Sequence, residues 1–319
     1  MPSAAEPGRQ ALTSAFMISA FSGFALIGVI VLVGWMVRRW AGLPENTEAI
    51  LGRLVYLVLA PCLLLTGVAK ADLTVLFSEP LLVSTAAALV CFAVFAGVIR
   101  GRDRGTTIMG ALASGYTNAN YIGLPIATYV LGNAALVVPI VILQLLVITP
   151  VALTLLEIAT TGHASWRTVA TTPLRNPLII GVALGAVLAL TGTHLPAVLA
   201  APITAIGQAA VPVVLIAFGM SLSGRGVLSP GSDRTAAITA VALKTAGMPL
   251  AAFLMAHAVG LPAQSTFAVT ALAALPTAQN VFLYGQRFNA GPVLIRDAIF
   301  LSTLTCVPAL LLITFLFHR

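Results

Sequence analysis

Two stretches of this sequence place residues capable of chemistry inside an otherwise apolar chain. One reads Gly115-Tyr-Thr-Asn-Ala-Asn-Tyr-Ile-Gly-Leu-Pro125, the other Ala274-Leu-Pro-Thr-Ala-Gln-Asn-Val-Phe282. Each combines a proline with side-chain amides. A proline removes a backbone donor and clashes with the preceding turn, so Pro125 and Pro276 should free main-chain carbonyls. Thr117, Asn118, Asn120 and Tyr121 crowd the first interruption, and Thr277, Gln279 and Asn280 the second. Should the two interrupted helices cross, their half-helix N-termini would offer partial positive charge and free N–H groups, a setting suited to a carboxylate. The plainer alternative is that each proline kinks a helix and each amide ties two helices together. Two matched sites, one in each half of the chain, favour binding over that alternative.

Lys244 is the third candidate. It lies deep in an apolar run, where a charge costs at least about 2.5–3.5 kcal/mol. Two roles fit: a fixed cation that neutralises an anionic substrate or fills an ion site, or a structural tether to freed carbonyls. No Asp or Glu can be placed mid-span as its partner. Coupling through intramembrane carboxylates is therefore not indicated, and uniport or exchange of organic anions is favoured. Sodium or proton coupling stays open as the alternative.

The elements that must position these residues are membrane spans. Of 319 residues, 59% are hydrophobic and 8% charged, against roughly 25% charged in soluble domains. Mean hydropathy is +1.05. Apolar runs near spanning length recur throughout, and ten are expected: residues 16–37, 50–69, 80–99, 107–131, 134–158, 177–190, 197–222, 235–259, 263–287 and 292–317. With the N-terminus outside, twelve of the sixteen Lys and Arg residues fall in cytoplasmic loops, three lie outside, and Lys244 is within a span. That bias supports ten spans with both termini outside. Residues 1–159 and 177–319 then form two five-span halves joined by a cytoplasmic linker, 160–176. The second and seventh spans each carry a mid-span proline, Pro61 and Pro212. A duplicated unit of five must insert its second copy upside down, the inverted-repeat architecture of many secondary transporters.

Other classes find no support. The net charge of +7 is spread over short loops, so lipid headgroups rather than nucleic acid are the expected partner. Cys62, Cys91 and Cys306 have neither metal-ligand nor disulfide spacing, and the four histidines fall in loops or at span ends. No catalytic triad, phosphate loop or carboxylate pair appears, so neither an enzyme nor a bound cofactor or metal is expected. The first apolar run reads as a retained span rather than a signal peptide. A non-transporting membrane sensor would need an appended signalling domain, and no loop exceeds about twenty residues.

The motifs Asn118-Ala-Asn-Tyr-Ile-Gly123-Leu-Pro125 and Ala274-Leu-Pro276-Thr-Ala-Gln-Asn280-Val-Phe282 resemble the fourth and ninth helices of the auxin efflux carrier family, which includes the plant PIN carriers. Lys244 ahead of Pro249, Pro61 and Asn176-Pro177 also fit, and the resemblance covers essentially the whole chain. It implies an all-α polytopic membrane protein with ten helices in two inverted repeats, like bile-acid and sodium/proton carriers. Helices 1, 2, 6 and 7 would form a scaffold, through which a homodimer could assemble. Helices 3–5 and 8–10 would form a transport unit, with broken helices 4 and 9 crossing at their prolines. The implied activity is efflux of auxin-like acids or, in bacteria, small carboxylates such as malate or malonate across the inner membrane. Asn118, Pro125, Pro276 and Asn280 match family positions at the crossing. Asn120 departs from the small or apolar residue usual there, so substrate preference should differ. The long central loop of the plant carriers is absent.

Overall fold

Three prolines set the shape of the long helices. In the computed structural model, helix Thr47–Val68 (α2) contains a π-helical turn at Val55–Leu59, helix Val138–Thr160 (α6) one at Gln144–Ile148, and helix Asp233–Ala258 (α9) one at Leu243–Gly247. Each turn ends two residues before a proline: Pro61, Pro150 and Pro249. The residue four back from each proline, whose carbonyl would meet the ring, lies inside the widened turn. The widening therefore follows from local sequence. Gln144 and Lys244 both sit on such turns.

The structure describes residues 28–70, 79–123, 126–127, 131, 136–161, 175–223, 227–228, 231 and 233–317. Besides α2, α6 and α9, these hold residues 28–40 (α1), Glu79–Val98 (α3), Arg104–Gly115 (α4), a π-helical turn Ala119–Gly123 (α5), Pro177–Thr191 (α7), Ala197–Ser221 (α8), Ala263–Ala273 (α10), Gln279–Phe288 (α11) and Pro292–Phe317 (α12). Among the described residues the fold is helical, apart from one isolated antiparallel bridge. Six helices, α2, α3, α6, α8, α9 and α12, are long and apolar enough to cross a membrane. Their outward faces carry exposed leucines, valines and phenylalanines, among them Leu82, Leu250, Leu312 and Phe315. A surface this apolar requires lipid rather than water around it. Start signals are local: Asp103 caps α4 by accepting the Thr106 N–H at 2.8 Å, and Asn176 caps α7 through the Leu178 N–H at 3.0 Å.

The expected second, third, fifth to eighth and tenth spans coincide with these helices to within a few residues. Most of the expected first span precedes residue 28, and most of the linker lies at 162–174; both stretches fall outside the described residues.

The helices gather into two groups. In one, α7 and α8 pack on α2. The approach is backbone to backbone: a β-carbon at Gly181 would sit 2.6 Å from the Pro61 carbonyl oxygen, and one at Gly185 2.7 Å from that of Leu65. Gly219 on α8 lies equally close to Val31 on α1. In the other group α3 packs on α4 and α9, α9 on α10 and α12, and α6 on α4. Here the fit is of ring against glycine, with Phe95 on Gly110 and Phe92 on Gly115.

Candidate functional site

The helix ending at Gly115 and the helix ending at Ala273 both stop short, and their continuations cross. Beyond α4 the chain turns extended at Tyr116 and resumes a helical turn at Ala119. Beyond α10 it is non-helical from Ala274 to Ala278, where α11 begins. The extended pieces pair antiparallel at Thr117 and Thr277. Asn118 N–H donates to the Pro276 carbonyl at 2.8 Å, and Ala278 N–H to that of Tyr116 at 3.1 Å. Main-chain groups freed by one interruption thus satisfy those freed by the other, which a dry bilayer interior demands. The sequence pointed to unpaired main-chain groups here; several are paired. The first interruption also comes at Tyr116–Asn118, ahead of Pro125. A β-carbon at Gly115 would meet Ala88 O at 2.9 Å and the Phe92 ring at 2.6 Å, so only glycine lets the helix end against α3.

Side chains lock the crossing. Asn118 Nδ2 donates to Gln279 Oε1 at 2.6 Å, with both residues buried. Thr277 Oγ1 donates to Ala113 O at 2.6 Å, and Thr277 N–H donates to Ser302 Oγ at 3.1 Å. The hydroxyls of Tyr116, Thr149 and Tyr284 form a chain at 2.9 and 3.3 Å. Lys244 is fully buried and donates to Ala273 O at 2.7 Å and to Met248 Sδ at 3.1 Å. Its ammonium meets the carbonyl end of α10, where the helix dipole is negative.

A cavity of about 380 Å³ opens on one side of the crossing. Its floor is Tyr116, Thr117, Asn118, Ala119, Ala278 and Asn280. Its walls are the end of α2, Leu63 to Lys70, and the start of α6, including Val138 and Val141. Among the described residues Lys70 is its cation and Gln144 its third amide. Gln144 is 6% exposed, and its carboxamide has no hydrogen-bond partner among the described residues. A buried amide left unpaired costs about 1–3 kcal/mol; a bound ligand or water would remove that cost. The start of α11 carries no side-chain cap; its Val281 N–H donates to Ala278 O at 3.1 Å, and Ala278 and Asn280 border the cavity.

The expected site residues divide three ways. Asn118 and Asn280 line the cavity together; Gln279 is joined to Asn118. Pro276, Thr277 and Lys244 build the crossing and do not line the cavity. Pro125 and the side chains of Asn120 and Tyr121 lie outside the described residues. Tyr116, Gln144 and Lys70 are additions from the structure. A lone amide on a proline-widened turn was the available signal for Gln144.

A family model described as "Membrane transport protein" matches residues 20–167 and 163–314, nearly the whole chain. The chain belongs to this family, that of the auxin efflux carriers. It is a membrane transporter family rather than an enzyme class. No curated protein matches the chain.

Proposed function

We propose that this protein is a secondary transporter that moves small organic anions, auxin-like or dicarboxylate acids, by alternating access. The substrate sits in the 380 Å³ cavity at the crossing. One observation carries the reading: two interrupted helices meet at an antiparallel bridge, and their amides Asn118 and Asn280 face one apolar-walled chamber that holds, among the described residues, a single cation, Lys70. An apolar wall with few convergent polar groups is the usual make-up of a small-molecule site. The carboxylate would lie toward the amides and the uncapped start of α11, the apolar body against Val138, Val141 and Leu64.

In this reading α4 with α5, and α10 with α11, are halves of the fourth and ninth of ten spans in two inverted repeats. The group around α2, α7 and α8 is the scaffold and dimer surface, and the other group moves. Both termini face outward from a bacterial inner membrane, the cavity opens outward, and net transport is efflux. Lys244 acts by holding the end of α10 in place.

Uptake of labelled monocarboxylates and dicarboxylates into proteoliposomes tests the proposal. Saturable uptake that Asn118→Ala and Asn280→Ala both abolish is expected. Uptake indifferent to both substitutions would remove the site.

One observation favours ion coupling as a second reading. A cavity of about 20 Å³, lined by Ser84, Thr85, Gly115, Thr117, Gln144 and Ala273 among others, lies beside the crossing. It matches one water or one sodium ion, and sodium dependence of uptake would separate the two readings.

A further inference from the structure

Across the crossing from the cavity, the two helix groups are in contact. Phe282 of α11 packs edge-to-face on Phe218 of α8, with ring centroids 5.3 Å apart. Farther along α11, Gln286 donates to the Glu48 carboxylate at the start of α2. Arg287 lies over the Tyr56 ring at 5.4 Å, and Phe288 meets the same ring edge-on at 6.5 Å. Arg296 Nη1 reaches Ser221 O, the last residue of α8, at 3.3 Å while pairing with Asp297 at 2.7 Å.

Within this contact lies a second chamber of about 210 Å³, bounded by Glu48, Ser221, Phe282, Gln286, Val293 and Arg296 among others. Its construction parallels that of the cavity. The cavity is walled by the end of α2, the first interruption from Tyr116 to Ala119 and the start of α6, with Ala278 and Asn280 beside them. The chamber is walled by the end of α8, α11 beyond the second interruption and the start of α12, with Glu48 beside them. In the two-repeat reading α2 corresponds to α8, α5 to α11 and α6 to α12. Among the described residues each space also holds one basic residue, Lys70 in the cavity and Arg296 in the chamber. Phe282, on the chamber's wall, is three residues past Gln279, a rise of about 4.5 Å.

We propose that the chamber is the second mouth of the transport path, with the Phe218–Phe282 pair as its plug and the Glu48–Gln286 hydrogen bond as its latch. This rests on the alternating-access reading above and adds residues to it. Opening requires α11 to part from α2 and α8; the plug separates, and the chamber joins the space beside Gln279. The emerging anion then meets Arg296. Glu48 serves the closed state alone, because its carboxylate has no attraction for an anion.

The test is accessibility. In a background with Cys62, Cys91 and Cys306 replaced by alanine, single reporters Val141→Cys, in the cavity, and Val214→Cys are treated with a membrane-impermeant maleimide from each side. Val214 is buried one helical turn before Phe218, behind the plug. The parent protein should label at position 141 from the cavity side and hardly at 214. Glu48→Leu and Gln286→Leu should each raise labelling at 214 from the chamber side about tenfold, the scale of one lost hydrogen bond to a charged group, and lower labelling at 141. The double variant should add little, because both changes break one bond. As a check independent of folding losses, Gly52→Cys with Gln286→Cys, whose β-carbons would lie 3.7 Å apart across α2 and α11 and so within disulfide range, should, once oxidised, keep position 141 reactive and stop transport, with reductant restoring it. Labelling at 214 unchanged in both leucine variants, or transport continuing through the disulfide, would overturn the proposal. If the reporters respond but no carboxylate is carried, the latch stands and the substrate reading falls. If Asn118-dependent uptake is found and the reporters do not respond, only the latch falls.

Discussion

Lys244→Met separates two roles that a buried cation can hold. Methionine keeps most of the side-chain volume and removes the charge and its donors. Two opposing terms then apply. The hydrogen bond to Ala273 O is charge-assisted, worth about 1.5–3 kcal/mol, and its loss leaves a helix-end carbonyl unpaired. Against this, the desolvation cost of the ammonium, at least about 2.5–3.5 kcal/mol, disappears. The terms nearly cancel, so Lys244→Met should unfold within a few degrees of the parent, a net change of about 1 kcal/mol or less. Lys244→Ala adds a cavity beside Met248 and should cost about 2–4 kcal/mol more. Function discriminates further. Because Lys244 does not line the cavity, losing it shifts the end of α10 and should weaken a carboxylate and its uncharged amide analogue by similar factors. The assay is thermal unfolding of detergent-purified variants with each ligand. A loss confined to the carboxylate would mean that the ammonium faces the substrate, and the tether assignment would be wrong.

Other consequences are open to direct measurement. Gln144→Leu should raise thermal stability by about 1–3 kcal/mol by removing an unpaired buried amide, while lowering substrate affinity; a loss of stability would show that the amide is paired in solution. Lys70→Ala should raise the KM for anionic substrates and flatten its salt dependence, because an exposed charge at the rim acts through screened attraction. An unchanged salt profile would remove Lys70 from the entry path. Gly219→Val should prevent stable folding, since α1 and α8 meet there backbone to backbone; a monodisperse variant of parental stability would contradict the packing. Hydrogen bonds from Thr106, hydroxyl and backbone N–H, hold the Asp103 carboxyl below the usual carboxylate range. A depressed folded-state pKa stabilises above the unfolded-state pKa and ceases to as pH falls through the lower folded value. Asp103→Ala should therefore cost about 1 kcal/mol at neutral pH and less in strong acid, where the charge-dependent part is lost, and Asp103→Asn should retain the cap.

Much of the architecture was legible in particular residues. Pro61 and Pro249 marked distorted turns because a ring clash depends only on the residue four back. Pro276 marked a helix that ends early, whereas the first interruption, read at Pro125, falls instead just after Gly115. The Asn118–Gln279 contact was readable in part, because side-chain amides in an apolar span need partners. What the sequence could not show was direction. Lys244 could have faced a substrate or a carbonyl, and only the packing of α9 on α10 turns it toward Ala273. Gln144 reads in sequence like any helix tie; the widened turn before Pro150 and the chamber beside it make it stand out. Lys70 counted toward topology, yet its place at the rim depends on α2 lying beside α6. The mutual pairing of the two interruptions required both backbones at once, which no local pattern encodes.

The central claim is that the anion lies at the crossing, and photoaffinity labelling tests it most directly. An aryl carboxylate bearing a diazirine, irradiated with the reconstituted protein and mapped by mass spectrometry, should mark residues 116–119, 137–145 and 278–280, with excess unlabelled substrate suppressing all three. Adducts confined to the lipid-facing groove between α9 and α12, near Leu250 and Leu312, and unaffected by competitor, would contradict it.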